Sequence, residues 1–230
     1  MVHQVIGFSD AFSAWENWNL TDFDSKIEGL LELKQGVEHN QPEWAEVIGF
    51  HIEQAATLIG FEHQLVGPTG ESNELYTAGR GVSLLIMEVD EAAARQAVIA
   101  QLIAALVAGN SVVLCSDDVT FVTELEAAYQ QSSLPINLIQ FAALDAAPQV
   151  LESDVRVVGF VGSTSGELNL NRQLANRTGA IVSLVSETDL VSLSVAHDPH
   201  LSLRFITERT RTINITAVGG NATLLGAANL

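Results

Sequence analysis

From residue 82 onward the chain repeats one alternation, a short β-branched apolar run followed by a helical stretch. The runs cover Val82–Met87, 111–115, 136–141, Val155–Val161 and 180–186, and the helical stretches cover 91–108, 120–131, 146–152 and 168–178. A run apolar at consecutive positions is buried on both faces, and such strands belong to parallel sheets with helices on either side. The pattern predicts an α/β fold: a doubly wound, Rossmann-like parallel sheet of about five strands. Ligands of such sheets bind beyond the carboxyl ends of the strands, so chemistry is expected in the loops after Met87, Cys115, Phe141, Val161 and Ser186.

The flanking segments read differently. From about Ala11 to Gly60 the pattern is helical. Asp22 is placed to cap a helix bearing Ile27, Leu30, Leu31 and Leu33, with Gly36 placed to stop it. Pro42 opens a second helix in which Trp44, Val47, Ile48, His51, Ile52, Ala55 and Leu58 recur at spacings of three and four, and Gly60 ends it. Residues 67–73 supply turn residues. After Glu187 the alternation stops, and 190–196 and 203–217 read as extended pieces of a C-terminal β-hairpin arm, followed by a Gly219-Gly220-Asn221 turn and apolar Leu224-Leu225. The expected units are an N-terminal helical segment (1–66), an α/β domain (67–190), and an arm with tail (191–230). An arm of this kind is more often an association device than part of a catalytic core.

Composition excludes several classes. With 28 acidic against 10 basic residues the formal charge is −18, so nucleic acid and anionic membrane surfaces are poor partners. Hydrophobic residues make up 47% and charged ones 17%, enough apolar material for a packed core. One cysteine, Cys115, rules out an internal disulfide or a multi-cysteine metal site. The start, Met-Val-His-Gln-Val-Ile, lacks the features of a secretory signal, and 97–108 is too short to span a bilayer, so a cytoplasmic protein without a membrane span is expected.

Few residues announce chemistry by themselves. Gly162-Ser163-Thr164 lies between a strand and a helix, where free amides favour a phosphate, although a plain turn has the same composition. Cys115 is followed by Ser116, Asp117 and Asp118, whose carboxylates raise a thiol pKa, so it reads as structural. His197-Asp198-Pro199-His200 reads as a solvated loop and not as a metal site, and no metal is expected. Glu187 ends the last apolar strand, where a functional carboxylate and a capping acid are equally compatible readings.

Three stretches, 101–110 (Gln-Leu-Ile-Ala-Ala-Leu-Val-Ala-Gly-Asn), 158–164 (Val-Gly-Phe-Val-Gly-Ser-Thr) and 184–188 (Leu-Val-Ser-Glu-Thr), resemble the NAD-binding half of the aldehyde dehydrogenase superfamily. Residues 67–73 and 208–224 are similar to the degenerate C-terminal aldehyde-dehydrogenase-like domain and tail of the bifunctional proline-utilization flavoprotein. That family joins proline dehydrogenase to L-glutamate γ-semialdehyde (1-pyrroline-5-carboxylate) dehydrogenase. The resemblance places Glu187 at the general-base position and Gly162, Ser163 and Thr164 at a vestigial cofactor site.

The departures from the family pattern shape the expected function. The segment whose lysine holds the adenosine ribose reads Cys115-Ser116-Asp117-Asp118, and no lysine follows Lys34. Glu88-Val89-Asp90 stands where the resemblance calls for an oxyanion-hole segment, and Asp189-Leu190 replaces two glycines. From Glu187 the chain passes in about twenty residues to the tail, without the subdomain that carries the nucleophilic thiol of this chemistry. The resemblance then implies a non-catalytic domain with a structural, oligomerisation or channel-closing role in proline catabolism. No catalytic residue and no cofactor are expected, NAD binding only if the vestigial site persists. The expected partner, met through the β-arm, is a second copy or a proline-utilization enzyme. The alternative is an NAD(P)-dependent 1-pyrroline-5-carboxylate dehydrogenase or a fragment of one.

Overall fold

The computed structural model of the chain describes residues 7–68 and 70–214. Three helices come first: α1 (Phe8–Leu20), α2 (Phe23–Glu38) and α3 (Pro42–Leu58). Strands β1 (His63–Leu65), β2 (Glu71–Gly79) and β3 (Val82–Met87) follow, then α4 (Ala92–Val107), β4 (Ser111–Ser116) and α5 (Val119–Gln131). The remainder comprises β5 (Ile139–Ala142), α6 (Ala147–Leu151), β6 (Val155–Val161), α7 (Thr164–Ala175), β7 (Ser183–Glu187) and β8 (Ile206–Asn214).

The five apolar runs form one parallel sheet in the order β5-β4-β3-β6-β7. The chain winds outward from β3 through β4 to β5, then returns to the other side of β3 for β6 and β7. Strands β3 and β6 therefore flank the point where the winding reverses, which is where doubly wound folds open a crevice.

Alternate strand residues face opposite layers, as a period of two requires. Leu85, Met87, Val112 and Leu114 join a core with Leu30 and Leu33 of α2, Ile48 of α3, Leu102 of α4 and Phe121 of α5. Leu84, Ile86, Val113, Cys115 and Phe160 join a second core with Ala11 of α1, Val150 and Leu151 of α6, and Leu170 of α7. Each fully buried leucine or isoleucine contributes roughly 1.5–3 kcal/mol of transfer free energy. Helix α4 is buried almost all round because α2 and α3 cover the side turned away from the sheet. Its one polar core residue, Gln101, lies against Gly159 of β6, where a Cβ would come within 2.3 Å of the amide oxygen.

The local signals at the N-terminal helices hold in part. Asp22 caps α2 by accepting from the Ser25 amide at 2.9 Å, and Pro42 opens α3. Gly36 does not stop α2, which runs two residues further. It instead allows α5 to approach, since a Cβ there would lie 3.1 Å from that of Ala128. Trp18 and Trp44 are core residues: the first donates to the Leu106 carbonyl at 2.8 Å, and the second meets Phe121 edge-on at 5.1 Å.

The C-terminal region differs from its expected form. Residues 190–196 are not extended but form consecutive turns. Strand β8 finds its antiparallel partner in β2, from Gly79↔Ile206 to Glu71↔Asn214, within a second sheet ordered β1-β2-β8. The stretch 67–73, read as turn residues, contributes its last three to β2. Arg211 secures this pairing through Glu74 and Glu62 and lies 5.5 Å above the Tyr76 ring. The Gly219-Gly220-Asn221 turn, Leu224-Leu225 and positions 215–224 of the tail motif lie outside the described residues. No helix among those described is long and apolar enough to cross a membrane.

Candidate functional site

The crevice at the carboxyl ends of β3 and β6 gathers most of the predicted residues. Val161 stands opposite Met87 on one side and Glu187 on the other, so Gly162, Ser163, Thr164 and Glu187 lie at one edge of the sheet. Helix α7 begins at Thr164, four residues before its expected start, because Ser163 caps it by accepting from the Gly166 amide at 3.1 Å. The amide of Gly162 is already engaged, donating to the Glu187 carbonyl at 3.2 Å.

Both donors of Ser163, its amide and its hydroxyl, are directed at Glu88. The Glu88 backbone is held by its amide, which donates to the Val161 carbonyl at 2.9 Å. Its carboxylate Oε2 accepts from the Ser163 amide at 2.8 Å and from the Ser163 hydroxyl at 2.7 Å. Two glycines make room for it. A Cβ on Gly162 would lie 2.6 Å from Oε2, and one on Gly166 would lie 2.6 Å from Oε1. The chain's own carboxylate thus lies in the cradle that the sequence suggests for a phosphate.

Glu187 is only 2% exposed, and its carboxylate is spent on backbone amides. It accepts from Val195 at 2.7 Å, Ala196 at 3.2 Å and, more loosely, Asp189 at 3.4 Å. These bonds fold residues 188–197 back over the end of β7. Asp189 tightens the same loop by accepting from the Val191 and Ser192 amides and the Ser192 hydroxyl. Those bonds, the Ser192 hydroxyl foremost, hold its carboxyl below the ordinary range. Leu193 takes a φ of 50°, a conformation unusual for a branched residue, and is buried in the main core. His51 pins the loop from below: its Nε2 donates to the Ala196 carbonyl at 2.8 Å, and burial lowers its pKa.

The other candidates are structural in their geometry. Cys115 is fully buried, and burial first, then Asp145 and Asp117, pushes its thiol up to about 12. Asp118, read beside Asp117 as part of a thiol-perturbing pair, turns away from it. It caps α5 at the Phe121 amide and pairs with Arg95 at 2.6 Å. His200 and Arg204 both approach Asp198, at 3.5 and 3.4 Å. No group of three or more potential metal ligands occurs among the described residues. Beside the crevice, between the segments that follow β3 and β4, lies a cleft of about 210 Å³ whose lining includes Glu88, Asp90, Asp117 and Asp118, with no lysine or arginine. A larger cleft, about 290 Å³ between α5 and β5, contains none of the predicted residues.

Sequence reasoning noted Glu88 only as a departure and missed what it does. The available signal was an acid directly after one central strand and a Gly-Ser helix start directly after another. It also missed Asn110, whose side chain makes four hydrogen bonds at the opposite end of the sheet.

No family model and no curated protein sequence matches the chain. Among solved structures, the fold matches proline utilization A. A point mutant of the Bradyrhizobium japonicum protein aligns at a TM-score of 0.70 and 26% identity, over 79% of this chain and 21% of that one. A structure of proline utilization A with proline bound in remote sites aligns at 0.67 and 26%, with the same coverage. A 1-pyrroline-5-carboxylate dehydrogenase from Thermus with bound NAD shares the fold at 0.64 and 14% identity, over 79% of this chain and 41% of that one. The structural neighbours are thus proteins of the aldehyde dehydrogenase superfamily, and the chain spans about a fifth of the length of the proline utilization A proteins it matches.

Proposed function

We propose that the chain is a non-catalytic aldehyde-dehydrogenase-like module of proline catabolism that acts by association, through the arm formed by β2 and β8. The observation that carries this reading is the fate of Glu187. A general base needs a carboxylate free to reach a substrate or a water. Here the carboxylate at that position is buried and holds the loop that leads from the sheet to the arm. The short segment after Glu187, where the resemblance calls for a catalytic subdomain, instead closes over the end of β7 and returns to β8.

The arm suits an interface. Beyond Ile206 and Thr207, every residue of β8 is exposed, and β8 is the outer strand of its sheet among the described residues. An exposed outer strand is a template for another chain. The partner is a second copy of this chain or a proline-utilization enzyme, in keeping with the structural neighbours.

The test perturbs the outer end of the arm and removes the tail beyond it without disturbing the core. Phe205 and Ile206 are buried, so a deletion reaching them would damage folding. Two forms of the protein avoid this: one ending at Asn214, and the full chain with Ile213→Glu. Sedimentation velocity, alone and mixed with a proline utilization A protein, should show weaker association in both forms. Unchanged assembly in both would refute the role of the arm. Oxidation of 1-pyrroline-5-carboxylate by the purified full chain would favour the dehydrogenase reading instead.

A further inference from the structure

We infer that Glu88 is a built-in occupant of the anion cradle at the start of α7, and that it makes this fold refuse the dinucleotide its relatives' architecture implies. Three features of different kinds converge on it. The carboxylate takes both the amide and the hydroxyl of Ser163. Gly162 and Gly166 lack the Cβ atoms that would collide with it at 2.6 Å, so the space an anion would need is present and already filled. The cleft alongside carries three more carboxylates, on Asp90, Asp117 and Asp118, and among the described residues only Asp118 of these has a cationic partner.

The physical consequence is direct. A helix start favours one negative group within its first turn, and a second anion entering the same donors meets both the first charge and its volume. A pyrophosphate must therefore displace Glu88 while passing the aspartates of the cleft. The residues present do not fit a nicotinamide dinucleotide. This inference stands whether or not the β8 arm associates, since it concerns the opposite end of the sheet.

Removing the Glu88 side chain, and not its charge alone, should turn the occupied cradle into an anion site. The experiment follows the backbone amides of Ser163 and Gly166 by NMR in the full chain while inorganic pyrophosphate, and separately NAD, is added up to roughly 10 mM. In the unmodified protein and in Glu88→Gln, which keeps the side chain's volume and its acceptor oxygen, neither amide should move. In Glu88→Ala both should shift with pyrophosphate, with an affinity at least about tenfold above that of the unmodified protein. Glu88→Ser provides the same reading if the alanine form does not fold. Movement of these amides in the unmodified protein, or a micromolar NAD isotherm, overturns the inference. So does a folded Glu88→Ala or Glu88→Ser protein that binds pyrophosphate no better than the original.

Discussion

Replacing Asn110 with alanine should be among the most damaging single changes in this fold, and its cost can be worked from four contacts. The residue is wholly buried where β2, β3, α4 and the start of β8 meet. Its Oδ1 accepts from the amides of Arg80 at 2.7 Å and Gly81 at 3.1 Å. Its Nδ2 donates to the carbonyls of Ala105 at 2.9 Å and Phe205 at 3.0 Å. Ala105 keeps a second donor, the Asn110 amide at 3.0 Å, so truncation leaves three backbone groups without the partner they had. Each buried group left unpaired costs about 1–3 kcal/mol, so the loss should reach roughly 3–5 kcal/mol after local relaxation. That is a large share of the ~5–15 kcal/mol that holds a typical domain together. Urea unfolding should show it as a midpoint lowered by more than about 1 M at unchanged slope. Asn110→Asp separates the two halves of the network. It keeps the acceptor for Arg80 and Gly81, removes both donations and buries a charge, so it should be at least as unstable at pH 7 and partly recover in acid. An Asn110→Ala protein within about 1 kcal/mol of the original would refute the reasoning, because three orphaned groups would then have been satisfied at no cost.

Two further outcomes follow from buried titratable groups. Lys26 is 8% exposed, and burial, opposed only by the charge of Asp22, lowers its pKa from 10.5 to about 8. Because the folded value lies below the unfolded one, the linked stability is complete above about pH 10.5 and is lost as the pH falls through about 8. That interval corresponds to roughly 3 kcal/mol, so Lys26→Met should melt higher than the original at pH 7 and lack its gain between pH 8 and 10.5. A Lys26→Met protein less stable at pH 7 would contradict this. Cys115, held near 12, should react with iodoacetamide at pH 8 about a thousandfold more slowly than in the urea-unfolded chain, and a ratio under ten would refute its burial.

What was legible in the sequence was whatever a short window contains. Strands β3, β4 and β6 were visible because burial on both faces forces apolar residues at consecutive positions, and Asp22 and Pro42 marked helix starts because capping acts over three or four residues. Strand β2 was not legible. Its residues are half-exposed, and Glu71-Ser72-Asn73 has the composition of a turn until β8 arrives to pair with it. Gly36 likewise reads as a helix stop until α5 is placed against it.

The sequence by itself determined the doubly wound sheet, the strand ends where a site should lie, and the residue types standing at family positions. Tertiary structure alone decided what those residues do. Glu88 and Ser163 are 75 positions apart, and Asn110 meets Phe205 across 95. Periodicity reports which face of an element is buried, but it carries no record of which distant element comes to lie against that face. That choice is made by packing, and at this crevice packing set a carboxylate against the donors where local pattern allowed a phosphate.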